Sequence, residues 1–348
     1  MVPNFSLKSG TFYSRLFIPG QSEENELNFV PPEVDIAAKL PNYPSNDLIV
    51  LEKLDLNDSI ISEIGKIKLK EIIFQNLEAF VGSDGNIGHY KGSFKHRIDL
   101  LDPNKITQKR PYRVPPALRA EVEQQIKEML RQRIIQPSSS PFCSPIVLVK
   151  KRDNKWRFAV DYRELNANTR KATYHLPLIQ DIVDLVGGKQ IFSSFDFQAG
   201  FHQLEVHPDH VERTAFATFC GFYEFLRMPF GVCGGPASFQ MTMEQMRREL
   251  SATFFVYIDD VILASMGEKE HIEDIEKFFK LLIKNGLKLK MEKCCFGKPE
   301  IKYLGFIIGQ AGIRPDPHNI ATVKKFGTPK TITELRSLIG AVAIFEDL

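Results

Sequence analysis

Apolar positions along this chain follow two spacings, and the spacing changes several times. Between Leu56 and Phe80 they recur every three or four residues, at Ile60, Ile61, Ile64, Ile67, Leu69, Ile72, Ile73 and Leu77, which predicts a helix. Pro115 to Ile135 reads as an amphipathic helix with Leu118, Val122, Ile126 and Leu130 on one face and Pro137 as its stop. Pro145–Lys150 and Trp156–Tyr162 are apolar, β-branched runs about the turn Asp153-Asn154, hence a hairpin. A short helix over Asp181–Val186 is closed by Gly187-Gly188. Strands are then expected at Ile191–Phe195, Gln203–Val206, Thr214–Phe219 and Phe222–Leu226, and a helix over Pro236–Leu250. Thr253–Tyr257 and Val261–Ala264 are two strands joined by Ile258-Asp259-Asp260. A helix follows over Glu270–Asn285, ending at Gly286, then a strand over Ile301–Ile308. Thr331-Ile332-Thr333-Glu334 is a capping box that opens a last helix. Strands alternating with helices, with hairpins throughout, give an α+β fold with antiparallel sheet. Gly82–Gly92 is a turn-rich loop, and residues 1–60 read as a loosely structured leader with one or two short strands.

Composition narrows this little. At 348 residues, 43% hydrophobic and 25% charged, the chain can bury a substantial core. No apolar run approaches the roughly 18–20 residues that span a bilayer, so no membrane is expected. Met1–Gly20 lacks a basic region followed by an apolar core, so an intracellular, cytoplasmic location is expected. Five widely spaced cysteines with no partnering histidines argue against a disulfide framework or zinc site and read as buried free thiols. The net charge of +2 hides an asymmetry: Asn104–Gln180 holds 16 Lys and Arg against 6 Asp and Glu, while residues 1–70 hold 7 against 10. A basic block in a near-neutral chain suggests a polyanion site, although such a run alone is more often a solvated face.

The sharpest chemical signal is Tyr257-Ile258-Asp259-Asp260 between two apolar runs. Adjacent acids between hydrophobic strands repel each other and lose hydration, a conflict that a divalent cation removes. Asp196 ends another strand, in Phe192-Ser193-Ser194-Phe195-Asp196-Phe197. Three carboxylates at the ends of adjacent antiparallel strands form an oxygen-rich pocket suited to Mg²⁺. Two such ions about 3.5–4 Å apart can activate a 3′-hydroxyl and stabilise a pyrophosphate leaving group.

Asp196, Met228-Pro229-Phe230-Gly231, Tyr257-Ile258-Asp259-Asp260 and Tyr303-Leu304-Gly305 occur in the order of the reverse-transcriptase motifs, and Val149–Asn166 resembles that family's fingers hairpin. Tyr223–Gly231 resembles the gypsy type of long-terminal-repeat retrotransposon, and the similarity runs from about Phe80 to Ile339. The resemblance implies a right-hand polymerase: residues 1–75 a leader, 76–311 fingers and palm, 312–348 the start of a truncated thumb or connection. It implies an RNA-directed DNA polymerase with Asp196, Asp259 and Asp260 as catalytic residues and ligands of two Mg²⁺, with Mn²⁺ as a substitute. Lys151 would reach the incoming triphosphate, with Lys150 and Arg152 as alternatives because the hairpin is one residue shorter than its retroviral counterpart. Arg157 would contact phosphates too. Phe201 falls where the family places an aromatic beneath the sugar, which excludes a 2′-hydroxyl. Phe230 would wall the pocket, and Leu304 and Gly305 resemble the primer grip. The partners implied are an RNA or DNA template, a DNA or RNA primer and deoxynucleoside triphosphates; a homo-oligomer is left open.

Val232-Cys233-Gly234-Gly235-Pro236 departs from the family's Asn-Ala before the Pro, and two glycines are expected to loosen that loop. No retropepsin-like triplet is present, and no ribonuclease H or integrase is expected within these 348 residues. The alternative is a catalytically inactive remnant that only binds nucleic acid. The lack of a second acid shortly after Asp196, with Phe201 in its place, argues against an RNA-dependent RNA polymerase.

Overall fold

The computed structural model describes residues 50–150, 156–171, 174, 186–250, 254–310, 312–324, 329 and 331–343. The chain divides into Met1–Tyr43 and Pro44–Leu348, and every described residue lies in the second unit. The strands expected in the leader, the turn Asp153-Asn154 and most of the Asp181–Val186 helix fall outside the described residues, as do Lys151 and Arg152.

Three sheets organise the second unit. β1 (Ile135–Pro137), β2 (Ser144–Lys150), β3 (Trp156–Val160), β5 (Phe216–Thr218) and β6 (Gly221–Phe225) form one, in the order β1-β6-β5-β2-β3. β4 (Ile191–Asp196), β7 (Phe254–Tyr257), β8 (Asp260–Ser265) and β9 (Cys295–Lys298) form the second, in the order β7-β8-β4-β9. β10 (Glu300–Tyr303), β11 (Phe306–Gly309) and β12 (Gly312–Pro315) form the third. All pairings are antiparallel except β2 with β5.

The second sheet is buried on both faces, and the two-residue period of a strand sorts its side chains between two cores. Phe195, Phe254, Val256, Val261 and Leu263 enter the larger core beneath the helices Gly235–Arg247 and Glu268–Asn285. Phe192, Phe255, Ile262 and Ala264 enter a smaller one with Ile301, Tyr303 and Ile308. Phe195 sits among Phe278, Phe279 and Phe296 at centroid distances of 4.9–6.1 Å, a cluster that fixes the end of β4.

Several expected elements end differently. The Leu56–Phe80 helix covers only Glu63–Gln75, capped by the Ser62 hydroxyl, with a 3₁₀ turn at Leu77–Ala79. Its inner face is Leu69, Ile72 and Ile73, while Ile60, Ile64 and Ile67 are exposed, so the apolar count outran the buried stripe. The Pro115–Ile135 helix spans Pro116–Arg131 and stops there, not at Pro137. Arg133 turns left-handed (φ 52°) and Ile135 starts β1. Gln203–Val206 is not a strand: Gly200–Gln203 is a 3₁₀ turn, followed by single bridges of Glu205 with Arg227 and Val206 with His96. Ile301–Ile308 is a hairpin rather than one strand. Of the five cysteines, all free, only Cys294 is buried, and Cys220 and Cys295 are exposed. The capping box holds: the Glu334 N–H donates to Thr331 Oγ1 at 3.1 Å, and the Thr331 N–H to Glu334 Oε2 at 3.3 Å.

Candidate active site

Strand register brings the acids together. β4 and β8 pair so that Asp196 and Asp260 are directly opposite, at the end of the sheet where Tyr257 pairs with Asp260 across the β7–β8 turn. Ile258 and Asp259 form the two-residue loop. Ile258 has φ 55°, the left-handed region in which a β-branched residue is an outlier. The Asp259 Oδ1 is buried with no hydrogen-bond partner. It lies over Gly200, where an added Cβ would come within 3.2 Å of both that oxygen and the Phe239 ring, a contact tight enough that the carboxylate or the ring would have to shift. Burial first, then the charges of Asp260 and Asp196, push the Asp259 carboxyl up to about 6. Asp260 reaches solvent, yet partial desolvation and Asp196 raise it too.

One cation is already present. Lys293 Nζ lies 3.0 and 2.9 Å from the two Asp196 oxygens, and its charge partly offsets the rise at Asp259 and Asp260. Among the described residues no group of three or more His, Cys, Asp or Glu side chains is drawn close enough to hold a metal ion. The donor chemistry nevertheless fits one: an orphaned carboxylate oxygen beside two further carboxylates is a negative site that the single charge of Lys293 only partly compensates.

The expected nucleotide residues gather in part. Phe201 is 9% exposed and stacks on Phe230, centroids 5.3 Å apart and planes at 24°, with Phe239 behind it at 5.9 Å. The Arg157 guanidinium stands 5.8 Å from the Phe230 ring centroid. So Arg157, Phe230 and Phe201 form one continuous stack. Lys150, paired with Trp156 across β2–β3, is exposed. Gly234 and Gly235 do not loosen the loop after Phe230: Gly234 (φ 77°) is the N-cap of the Gly235–Arg247 helix, and Gly235 packs close to the Phe201 ring. Leu304 (φ 48°) and Gly305 (φ 88°) are the turn of the β10–β11 hairpin, pinned by the Asp316 N–H donating to the Gly305 carbonyl at 3.0 Å. Tyr303, just before that turn, is 6% exposed, and its hydroxyl has no partner.

Three residues that the sequence reading did not single out complete the site. Gln240 is fully buried in the helix and bonds the end of β7 at Val256 and the first loop residue, Ile258. Asn166 spans the loop after Phe230, donating to the Gly231 carbonyl at 2.8 Å and accepting from the Cys233 N–H at 2.7 Å. Lys293 is the third. A lone amide between two apolar neighbours, Phe239-Gln240-Met241, is the sequence signal available for Gln240; for the other two there is none. A surface cavity of about 770 Å³ lined by His89, Arg133, Glu205, Glu224 and Arg227 among others holds none of the expected site residues.

Residues 149–308 match the family described as reverse transcriptase (RNA-dependent DNA polymerase). The chain is 32% identical to the retrovirus-related Pol polyprotein from transposon 297 of Drosophila melanogaster, over 99% of this chain and 33% of that protein. It is 29% identical to the Pol polyprotein from transposon gypsy of the same organism, over 84% of this chain and 29% of the relative. It is also 33% identical to the enzymatic polyprotein of cauliflower mosaic virus (strain Strasbourg), over 70% and 36%. The chain thus spans about a quarter to a third of the length of these transposon relatives. Among solved structures, the foamy viral protease-reverse transcriptase dRH in complex with double-stranded DNA has the same fold, with a TM-score of 0.77 at 24% identity over 89% of this chain and 55% of that one. The foamy viral enzyme in complex with an RNA/DNA hybrid superposes with a TM-score of 0.74 at 22% identity, over 88% and 42%.

Proposed function

Residues 149–308 are a reverse-transcriptase domain related to those of gypsy-type retrotransposon polyproteins, and from that premise we propose that the chain is an RNA-directed DNA polymerase that adds deoxynucleotides to a primer 3′-end. The observation that carries this reading is the acid triad: Asp196 and Asp260 opposed across two strands, with Asp259 beside them on a strained turn, one oxygen buried and unpartnered.

In this reading Asp196, Asp259 and Asp260 hold Mg²⁺, with Mn²⁺ able to substitute. Bound divalent cations would polarise the primer 3′-hydroxyl and neutralise the leaving pyrophosphate. The chain's own residues position the reactants. Arg157 offers a guanidinium fork to the triphosphate, its charge set against the Phe230 ring. Lys151, with Arg152 as an alternative, is assigned to the incoming triphosphate from the sequence resemblance and lies outside the described residues, and Lys150 is the described lysine nearest them in sequence. Phe201, backed by Phe239 and unable to retreat, blocks the space of a 2′-hydroxyl. Leu304 and Gly305 are assigned to the primer end. Template, primer and deoxynucleotides are the partners. A second copy of the chain is left open, and among the described residues no helix is long and apolar enough to cross a membrane.

The inactive, binding-only reading has one observation in its favour: Lys293 occupies the Asp196 carboxylate. Primer extension on poly(rA)/oligo(dT) with Mg²⁺ decides between the two. Incorporation of dTMP supports the polymerase, and template–primer binding without incorporation supports the remnant.

A further inference from the structure

Ile258 occupies the first central position of a two-residue hairpin loop in a left-handed conformation (φ 55°). Turns that need a positive φ there ordinarily use glycine. A β-branched residue persists in that region only where its surroundings impose it. The hydrogen bonds that hold this one come from a single side chain. Gln240, with no exposed surface, accepts the Ile258 N–H through Oε1 at 2.6 Å. Its Nε2 donates to the Val256 carbonyl at 2.9 Å and to Glu244 Oε1 at 3.2 Å. One primary amide therefore bridges the end of β7 and the loop itself, and it uses both ends to do so. Neither a carboxylate nor an apolar side chain reproduces that pair of bonds. The preceding residue, Phe239, packs against Phe197 at 5.4 Å and Phe201 at 5.9 Å and reaches beneath the site at Gly200. The helix thus carries side by side the residue that supports the sugar-facing ring and the residue that grips the acid turn.

We propose that Gln240 is a positioning residue for the acid turn: its amide holds Ile258 left-handed, and this aims Asp259 into the site. The proposal deepens the polymerase reading and rests on it only for its kinetic consequence. Its structural consequence, protection of the Ile258 amide, stands without any activity.

The test uses the full chain and the variants Gln240→Met, Gln240→Glu, Ile258→Gly and Ile258→Gly/Gln240→Met. Hydrogen exchange is followed in peptides covering 254–263, and single-turnover dTMP incorporation is measured at saturating nucleotide. Gln240→Met is expected to accelerate exchange in the turn and to lower the incorporation rate by roughly tenfold or more, the loss of a buried hydrogen bond to the backbone. Template–primer affinity is expected to stay within about twofold, because the amide is buried beneath the turn and reaches neither strand. Gln240→Glu keeps the acceptor for Ile258 and should exchange at an intermediate rate, so it serves if Gln240→Met does not fold. Glycine adopts the left-handed conformation without restraint, so adding Gln240→Met to Ile258→Gly should cost less than about threefold. Unchanged exchange in both Gln240 variants overturns the proposal. So does a rate loss from Gln240→Met that is equal with and without Ile258→Gly, or a parallel loss of template–primer affinity. If the unmodified chain binds template–primer but does not extend it, the polymerase reading falls and the exchange result alone decides the positioning role.

Discussion

At the scale of single residues, the site holds more negative charge than its surroundings satisfy, and Asp259 bears most of the conflict. Its carboxyl is raised from 3.8 to about 6, so the folded chain binds that proton more tightly than the unfolded chain does. The sign follows: the associated stability is fully present below pH 3.8 and is lost as pH rises through about 6. At pH 7, without divalent cations, the ionised carboxylate therefore destabilises the fold, by at most about 3 kcal/mol at roughly 1.36 kcal/mol per pKa unit. Asp259→Asn removes that charge. It is expected to abolish primer extension, leave template–primer binding largely intact and raise the melting temperature in EDTA at pH 7 by a few degrees, as calorimetry would read. A wild-type extension rate would refute the metal-site assignment, and a lowered melting temperature would refute the charge conflict. Phe201 separates two roles in the same way. Its contacts with Phe230 and Phe239 make it a packed ring as well as the expected sugar gate, so Phe201→Ala should cost about 3–5 kcal/mol of stability. If it is the gate, the ratio of ribo- to deoxynucleotide incorporation rises by a large factor as well. A lower melting temperature with an unchanged ratio leaves only the packed ring.

At the scale of elements, legibility depended on whether a local rule governed the backbone. The strands flanking Asp259 were legible within one or two residues because short, continuous runs of β-branched and aromatic residues about a two-residue acid turn are too short for a buried helix. Apolar periodicity alone runs Ile301–Ile308 together as one strand, although Gly305 (φ 88°) marks the turn it makes with Leu304 (φ 48°) and the resemblance to the primer grip implies one. The Pro116–Arg131 helix was overrun because Arg133 turns left-handed without a glycine. Gln203–Val206 has the apolar content of a strand but makes only single bridges, because it leaves a 3₁₀ turn at Gly200–Gln203 that begins from a left-handed Ala199 (φ 49°). Conversely, Gly234-Gly235 suggested looseness where tertiary packing has made an ordered helix start. That loop is held from outside by Asn166, which bonds the Gly231 carbonyl and the Cys233 N–H at once. Asn166→Ala frees the segment that carries Phe230. It should raise KM for deoxynucleotide several-fold with a smaller change in kcat, because the loop forms the pocket wall rather than the reacting site. Steady-state kinetics check this, and a fall in kcat at constant KM would contradict it.

At the scale of the whole molecule, charge counting and charge placement diverge. The basic block between Asn104 and Gln180 holds 16 basic side chains against 6 acidic ones, and three of the basic ones are paired with acids of the block itself, so the net surplus rather than the basic count faces a polyanion. Asp161 takes Arg163 at 2.7 Å and Lys109 at 3.4 Å, and Arg131 is paired with Glu128 at 2.6 Å. Template–primer affinity should still fall with salt, by a slope of about 0.7–0.9 in log K per phosphate contact. The total should not exceed that of about ten contacts, the block's net surplus, and filter binding across a salt series measures it. Histidines behave in the opposite way: no motif marks them in the sequence, and burial makes them decisive. His96, His210 and His271 are each at most 4% exposed. Burial lowers all three from 6.5 to about 4, as it does His202. They serve as neutral hydrogen-bonding groups: His271 bridges Ser193 at 2.7 Å and Ser265 at 3.0 Å between β4 and β8, His96 meets Ser238 at 2.8 Å, and His210 accepts the Ile98 N–H at 2.8 Å. A depressed histidine pKa means that the unfolded chain takes up the proton first. Stability is therefore intact above pH 6.5 and drains away as pH falls from 6.5 towards 4. Each of the three is worth up to about 3 kcal/mol over that window, so together they rival a typical folding free energy of roughly 5–15 kcal/mol. Protonation of Asp259 below about pH 6 returns some stability, but it is one group against several. Denaturant midpoints should consequently drop steeply between about pH 6.5 and 4.5, with no matching change between about pH 8 and 7. His271→Gln, which keeps side-chain hydrogen bonding to the serines without a titrating group, should flatten that slope by close to one proton. An unchanged slope in that variant would mean that His271 is not among the groups that titrate on unfolding.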